Sequence, residues 1–347
     1  MAKLHTKVFG GGDETSPELM ESYHFYFTSV FLGSPFSSER LPSLVYEDKD
    51  GSILGFLGVA PRRFSFKGES LSAAISSQLM VEPSGRSSFV GIYLLRTFLE
   101  GPQVLSIADE GNDAAKRIWE SLGGTTSHLR SLYWFRILRP CHFVLSILRR
   151  RWWLSPAALL SQPMALLLDF LLAHAPRSYF GQRRPQASSG DLTPNELSKC
   201  LPSIYGRSIV PEYDEVSLAW LFQRADQKKQ HGNLHTVRLC GEKERTVGWY
   251  IAYFNPGRVS EVLQIGAAEP YRQLVLDHLF YNAWSKGVIA LTGHIDPAFL
   301  KEYAASRCFF HHRNEWVLLH SKKPEILQHY GSSLVSRLEG EWCLRFR

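Results

Sequence analysis

The sequence predicts a mixed α/β (α+β) protein of two domains, and three observations lead to this prediction. The chain has 347 residues, of which 44% are hydrophobic and 13% aromatic, so it exceeds the usual size of one domain and can bury a core. Strand-like runs come first and are followed by alternating strands and amphipathic helices. The second half of the chain repeats this order.

The first half begins with three strand-like runs that are separated by turn-forming clusters. These runs cover residues 43–47, 53–60 and 71–81. Apolar periodicity then predicts a helix over 90–99, a buried strand over 104–108 and a second helix over 113–122. Gly123 and Gly124 follow, as is typical of the end of a helix.

The second half carries matching features at nearly constant spacing. A glycine lies in the second strand of each half, a Glu-Pro pair ends the third strand, and a polar residue precedes a helical aromatic residue. The matched pairs are Gly55 and Gly248, Glu82 and Glu269, Asn112 and Asp296, and Trp119 and Tyr303. We infer a tandem duplication with domains over 1–129 and 191–347, joined by a basic and apolar connecting segment over 130–190.

Two stretches outside this repeat have their own character. Residues 149–172 run from three arginines and two tryptophans into an apolar sequence that contains two prolines and Asp169, which is unsuited to spanning a membrane. This stretch is either an interfacial segment that contacts an anionic membrane or a buried inter-domain helix. Residues 185–190 are typical of a linker, and the closing residues 338–346 predict a strand.

Charge and cysteine content narrow the class of protein. The net charge is +6, which favours anionic partners, but the basic residues form no continuous stripe and we expect no nucleic-acid partner. The five cysteines are isolated and odd in number, so neither a disulfide framework nor a metal site is predicted. Because the first residues contain no apolar secretory run, we expect a cytoplasmic protein, with peripheral membrane contact as an option.

The clearest motif covers residues 81–91, VEPSGRSSFVG. A strand that runs directly into a helix leaves unpaired N–H groups and the positive end of a helix dipole, which suits a pyrophosphate. The motif resembles the coenzyme A loop of GNAT acetyltransferases, V-x-P-x-x-R-G-x-G-I-G, at Val81, Pro83, Arg86 and Gly91. Ser87 and Phe89 stand where that family has glycine.

This resemblance implies two tandem GNAT-like acyl-CoA N-acyltransferase domains, each a mixed, mainly antiparallel sheet flanked by helices. It also implies acetyl-CoA or another acyl-CoA as the donor, held by the end of the third strand, the loop and two later positions. The residues implied are Leu79, Met80, Val81, Arg86, Ser87, Ser88, Phe89, Val90, Gly91, Asn112 and Trp119.

Two positions, Glu82 and Tyr303, are candidates for proton transfer, each with a simpler structural alternative. Glu82 ends a strand and is either a general base for the amine or an exposed side chain. Trp119 stands where the family often has an acidic tyrosine, and an indole is no acid at neutral pH. Tyr303 takes that position in the second half and is either the acid or a core residue. Asn112 either fixes the cofactor arm or only caps the helix that starts beside it.

The resemblance therefore implies transfer of an acyl group, by direct attack on the thioester, to the amine of a small molecule or glycan. An amino sugar or surface-polysaccharide precursor fits a chain layout similar to the Fem-like tandem GNAT proteins. Two alternatives stay open. One is a non-catalytic binding or scaffold protein on a degenerate fold, which the substitutions Ser87, Phe89 and Trp119 favour. The other is a transferase that takes its acyl group from an aminoacyl-tRNA or a carrier-bound donor.

Overall fold

The structure is a computed structural model that describes residues 1–10, 16–83, 88–149, 161–176, 178–182, 184–205, 209–241, 244–333 and 336–346. Its strands, in chain order, are β1 Leu44–Glu47, β2 Ile53–Phe66, β3 Glu69–Val81, β4 Leu105–Gly111, β5 Thr125–Thr126, β6 Leu132–Ile137, β7 Ser188–Asp191, β8 Val210–Pro211, β9 Asn233–Cys240, β10 Thr246–Phe254, β11 Val259–Ala267, β12 Ala290–His294, β13 Phe309–His312 and β14 Trp316–Ser321.

The α-helices are α1 Ala2–His5, α2 Pro17–Phe27, α3 Ser88–Leu99, α4 Asp113–Ser121, α5 Pro140–Leu148, α6 Gln162–His174, α7 Pro194–Tyr205, α8 Glu215–Gln227, α9 Arg272–Ser285, α10 Leu300–Ala305, α11 Pro324–His329 and α12 Glu341–Leu344. Short π-helical turns cover Thr6–Gly10 and Thr28–Leu32, and 3-10 turns cover Lys229–His231, Glu269–Tyr271, Pro297–Phe299 and Tyr330–Ser332.

The chain forms two compact units that are not continuous in sequence. Unit 1 consists of Met1–Ser131, Tyr205–Phe222 and Asn314–Arg347, and unit 2 consists of Leu132–Ile204 and Gln223–Arg313. Each unit contains one mixed sheet flanked by helices, which confirms the predicted fold class.

The sheet of unit 1 has the strand order β1-β2-β3-β4-β14-β5, and β8 pairs with β2. β2 and β3 form a long antiparallel hairpin whose turn contains Lys67 and Gly68, both with positive φ angles, 53° and 85°. The connection from β3 to the parallel strand β4 runs through α3. Buried side chains cover both faces of this sheet, with α3 and α4 on one face.

The sheet of unit 2 has the order β7-β9-β10-β11-β12-β6-β13, and its parallel pair β11–β12 is joined through α9. The paired glycines of the sequence repeat have the same role in both units. A Cβ atom on Gly55 would lie 2.4 Å from Val90 of α3, and one on Gly248 would lie 2.4 Å from Val275 of α9. Glycine is required at both positions because a helix packs directly on the strand.

Each sheet contains one strand that directly follows residues of the other unit along the chain. β14 follows unit 2 along the chain but pairs antiparallel with β4, whereas β6 follows Ser131 but pairs antiparallel with β12. The sequence division differs from this arrangement, because Asn314–Arg347 folds with unit 1 and the connecting segment after Ser131 folds with unit 2. Local patterns predict strands but not their distant partners.

Two local predictions also differ from the structure. The expected linker over 185–190 contains the start of β7, which pairs with β9. The expected strand over 338–346 is wrong, since this stretch contains the helical turn α12. The amide of Glu341, at the start of α12, donates a 2.7 Å hydrogen bond to Asp109, and a carboxylate at a helix start favours the turn over an extended strand.

The 149–172 stretch lies partly outside the described residues, at 150–160. Within the part that the structure describes, α6 packs against α5, and Asp169 is buried. Its carboxylate accepts hydrogen bonds from the amides of Cys141 and His142 at 2.8 and 3.1 Å, so it satisfies the free N–H groups at the start of α5. None of the helices described has the length and hydrophobicity needed to cross a membrane.

Candidate active site

The central strands of unit 1 separate at the end that leads into α3 and α4. β3 and β4 pair in parallel only at Ala73–Leu105, Ala74–Ser106 and Ile75–Ile107. Gln78 has a φ of 55°, a left-handed conformation that is uncommon for a residue with a side chain, and the register with β2 shifts at the same place. The bulge bends β3 away from β4 and opens a gap in the middle of the sheet.

A cavity of about 460 Å³ occupies this gap, within the size range of small-molecule sites. One side is apolar and includes Leu57, Leu95 and Trp119, and the other is lined by residues 76–79 and by polar side chains. Residues 76–79 line the cavity, and β4 pairs with β3 only as far as Ile75. Backbone groups that β4 leaves unpaired are suited to binding a ligand, whereas the amide of Gln78 is already bonded to Glu341.

The C-terminal residues of the chain supply acidic and basic groups to the cavity. The Glu341 carboxylate accepts a 3.2 Å hydrogen bond from the amide of Gln78 at the bulge. Glu110 and Arg345 also line the cavity, and they form an ion pair. The second partner of Glu110 is Arg337, at 3.0 Å, and both side chains of that pair are almost fully buried.

Burial is the main cause of the raised pKa values of three carboxyl groups at or near the cavity, Glu341, Asp109 and Glu339. It raises the pKa of Glu341 to about 8, with further upward contributions from Glu110 and Asp109. It raises the pKa of Asp109 to about 7 and that of the buried Glu339 to about 8. A carboxyl group with a pKa near neutrality exchanges protons at physiological pH, which is the property required of a general base.

The structure brings three of the predicted site residues to the cavity, and they are Leu79, Asn112 and Trp119. Asn112 also caps α4, since its side chain accepts a 2.9 Å hydrogen bond from the amide of Ala115. The Trp119 indole is buried and donates a 2.9 Å hydrogen bond to the carbonyl of Leu319 on β14. Trp119 therefore presents a ring to the cavity and keeps its N–H for the sheet.

Other predicted residues lie around the start of α3 rather than in the cavity. Val90 is buried against Gly55, and Gly91 faces Val81, so these positions fix the helix on the strand. The pleat of β3 directs Met80 to the opposite core from Leu79, and Met80 does not line the cavity.

The rest of the predicted coenzyme A loop is only partly described. Phe89 is 79% exposed in the first turn of α3, and Ser88 begins that helix. Arg86 and Ser87 lie outside the described residues, so their predicted contact with a pyrophosphate stays a prediction.

The two predicted proton-transfer residues are not in the cavity. Glu82 forms an ion pair with Lys7 at 3.4 Å and is absent from the cavity lining. Tyr303 belongs to unit 2, has no exposed surface and stacks on Trp134 with ring centroids 5.1 Å apart. Its environment is that of the core residue considered as the alternative.

Sequence reasoning missed Glu341, Glu110, Arg345 and the bulge residue Gln78. A signal for Glu341 was present, because Glu339 and Glu341 interrupt an apolar stretch that ends in Phe346. Acidic residues within apolar sequence indicate buried carboxylates. Gln78 gives no such signal, since nothing in its neighbouring residues predicts a positive φ angle.

Comparison with known proteins identifies the architecture. No protein-family model matches the sequence, and no curated protein sequence does either. A protein of unknown function from Enterococcus faecalis, described as a "Probable N-Acyltransferase", aligns with a TM-score of 0.55 at 9% identity, over 94% of this chain and 69% of the other. The fold is that of the GNAT acyltransferases.

Two further solved structures agree with this assignment. A GCN5-related N-acetyltransferase from Anabaena variabilis aligns with a TM-score of 0.54 at 12% identity, over 91% of this chain and 68% of the other. One from Kribbella flavida aligns with a TM-score of 0.52 at 12% identity, over 91% and 67%. At these identities the similarity establishes the GNAT fold and leaves the activity to be argued from the site.

The raised pKa of Glu339 predicts a fall in stability with rising pH. Its pKa is raised from 4.5 to about 8, so the folded state keeps a proton that the unfolded state loses across this interval. The free energy of unfolding should fall by up to about 1.4 kcal/mol per pH unit from this group. Urea unfolding between pH 5 and 8 should show a shallower decline for Glu339→Gln than for the wild type.

The exposed Glu325 on α11 provides the matched control, because Glu325→Gln makes the same change in charge at the surface. Equal pH slopes for Glu339→Gln and the wild type would contradict a proton held by Glu339.

Proposed function

We propose that this protein is an acyl-CoA-dependent N-acyltransferase whose site is the cavity between β3 and β4. The observation that carries the proposal is the divergence of these strands at the Gln78 bulge, with a carboxyl group of raised pKa, Glu341, hydrogen-bonded to that bulge. The gap accommodates an extended thioester arm beside exposed backbone groups. The similarity to N-acyltransferase structures supports the same reaction class.

In the proposed reaction the acceptor amine attacks the thioester carbonyl, a C–N bond forms and the C–S bond breaks. Glu341 accepts the proton that the amine loses. Backbone N–H groups of the cavity-lining residues 76–79 that are not already bonded would stabilise the developing oxyanion. The departing thiolate regains a proton through Glu341 or water, because the Trp119 N–H is bonded to Leu319 and is not acidic.

For the acceptor we propose a primary amine on a small molecule or glycan, such as an amino sugar of a surface-polysaccharide precursor. Once it has lost its proton, the Glu341 carboxylate at the cavity favours an acceptor that arrives as a cation. Acetyl-CoA is the first donor to test. Acyl transfer from an aminoacyl-tRNA or another carrier, and ligand binding without turnover, are outcomes that the same experiments distinguish.

A bulky residue in the cavity should abolish donor binding. Ala115 on α4 lines the cavity, whereas its neighbour Ala114 is exposed, so Ala115→Phe and Ala114→Phe form a matched pair. Acetyl-CoA at about 100 times its Kd should stabilise the wild type and Ala114→Phe by about 2.7 kcal/mol and leave Ala115→Phe unchanged. Differential scanning fluorimetry measures this, with Arg86→Ala as a test of the loop.

If neither acetyl-CoA nor free CoA shifts the wild-type melting temperature, a carrier-bound donor or a non-catalytic role replaces the proposal. A shift that Ala115→Phe retains would place the donor elsewhere in the molecule.

Removal of the carboxylate at position 341 should slow the chemical step. We expect Glu341→Gln to lower kcat about 10²–10⁴-fold, the usual contribution of a general base. Because the base must be unprotonated, the Glu341-dependent part of kcat should rise with pH up to about 8, the pKa of this group. CoA thiol release from acetyl-CoA, measured with a panel of amino sugars and primary amines, gives the pH profile.

Glu339→Gln is the matched control for this experiment, since Glu339 is buried in the same C-terminal segment and lies outside the cavity lining. Catalysis by Glu341 would be refuted if both variants had the same kcat and the same pH profile.

We also propose that unit 2 contacts an anionic membrane surface through α5 and α6. Large apolar side chains of both helices are exposed, and they are Val144, Ile147, Met164, Leu166, Leu167, Leu168, Phe170 and Leu171. So many exposed large apolar side chains on two neighbouring helices are unusual for the surface of a globular protein. Arg149 is exposed at the end of α5, and two further arginines follow it in sequence, which favours negatively charged lipid.

Flotation with vesicles tests this contact. We expect binding to phosphatidylglycerol-containing vesicles and weaker binding to pure phosphatidylcholine. Leu167→Gln combined with Leu171→Gln should reduce the partition coefficient by about tenfold or more, since burying one leucine contributes about 1.5–3 kcal/mol. Leu300→Gln replaces an exposed leucine elsewhere in unit 2 and should bind normally. Unchanged flotation of the double variant would exclude this surface.

A further inference from the structure

Unit 2 contains a second cavity, of about 550 Å³, that is separate from the site in unit 1. Arg136 of β6 lines it, together with Asp277 and Phe280 of α9 and with Tyr179 and Arg307 from two loops. The pleat places Arg136 on the same face of β6 as the core residue Trp134, which carries its side chain under α9.

Arg136 is buried, with 6% of the residue exposed, and only part of its guanidinium is hydrogen-bonded. Its Nη2 donates to the carbonyl of Tyr179 at 2.9 Å. Among the described residues, Nε and Nη1 have no hydrogen-bond partner. Burying a cation costs desolvation free energy unless the cation is paired and hydrogen-bonded. The hydrogen bonds of Arg136 offset only part of this cost.

Among the described residues, neighbouring side chains supply only part of the missing counter-charge. Asp277 attracts the Arg136 guanidinium but forms no ion pair with it. Its carboxylate accepts a 2.8 Å hydrogen bond from Gln273, and burial raises its pKa. Burial raises the pKa of the Cys308 thiol to about 12, which keeps this neighbour neutral. Arg307 adds a second positive charge, since its guanidinium lies 4.9 Å from the ring centre of Tyr179.

Aromatic groups complete the wall of the cavity. The Arg136 guanidinium lies 5.3 Å from the ring centre of Tyr179 and 6.0 Å from that of Phe280. Tyr179 is held in place because its hydroxyl donates a 2.9 Å hydrogen bond to the carbonyl of Arg307. The cavity thus combines two arginines with flat apolar surfaces.

We propose that this cavity binds a small organic anion whose carboxylate or phosphate group pairs with the unpartnered N–H groups of Arg136. Arg307 contributes a second positive charge, and the rings of Tyr179 and Phe280 cover the apolar part of the ligand. Guanidinium groups bind both oxyanions through charge-assisted hydrogen bonds, and the volume is that of a small-molecule site. This proposal does not rest on acyl transfer in unit 1.

Two probes test the site, inorganic phosphate and malonate, titrated against sodium chloride at constant ionic strength. We expect one or both to raise the melting temperature of the wild type, and the more effective probe identifies the ligand as a phosphate ester or a carboxylate. Arg136→Gln should weaken the apparent Kd about tenfold or more, because a hydrogen bond to a charged group is lost. Arg258→Gln removes an exposed arginine of the same unit and should behave as the wild type.

A second variant guards against misfolding of Arg136→Gln. Arg307 has a φ of 58°, which asparagine tolerates, so Arg307→Asn keeps the backbone and should weaken binding of the same probe. Stabilisation by acetyl-CoA should persist in both variants, which separates this site from that in unit 1. The proposal is overturned if neither probe stabilises the wild type, or if Arg136→Gln, or Arg307→Asn where the former does not fold, binds as the wild type does.

Discussion

The assembly of unit 1 depends on the hydrogen bonds that β4 makes with β14, along the edge of β4 that faces away from β3. β14 pairs with this edge and carries Leu319, whose carbonyl accepts the indole N–H of Trp119. The pairing also brings the C-terminal segment after β14 into unit 1, so that the Glu341 amide reaches Asp109 on β4 and the Glu341 carboxylate reaches Gln78 on β3. The polar side of the cavity therefore depends on a strand that lies about 200 residues after β4 in the chain.

The cavity combines the divergence of β3 and β4 with an unusual set of side chains for proton transfer. The diverging strands lie in a sheet of the GNAT fold, and Trp119 stands where the resembled motif has a tyrosine. The proposed acid–base function lies instead on Glu341, in the segment after β14, where burial raises the pKa of carboxyl groups to about 8. A group in that range can both accept and return a proton, so one carboxylate serves both halves of an acyl transfer.

The order of the elements could be predicted from sequence because it depends on local pattern. Gly55 and Gly248 mark the strands that lie under a helix, and Asn112 and Asp296 mark helix starts, where each side chain accepts a backbone hydrogen bond. The pairing of β6 and β14 could not be predicted in this way, since a strand's pattern specifies its buried face and not its neighbour. Glu341 was missed for the same reason, because its role requires contact with Gln78, far away in sequence. The prediction for Tyr303 did not distinguish a buried phenol from a reactive one.

The long separation of β4 and β14 in the chain has a consequence for folding during synthesis on the ribosome. After Ser131 has emerged, the β4 edge has no β14 to pair with until the chain has been made as far as Ser321. At about 5–20 residues per second this takes on the order of ten seconds or more, during which an unpaired central strand is exposed to association with other chains. A nascent-chain chaperone that covers this edge would protect it. The architecture thus links completion of this sheet to the synthesis of β14, and a premature stop codon shortly before β14 would leave an open sheet rather than a smaller intact unit.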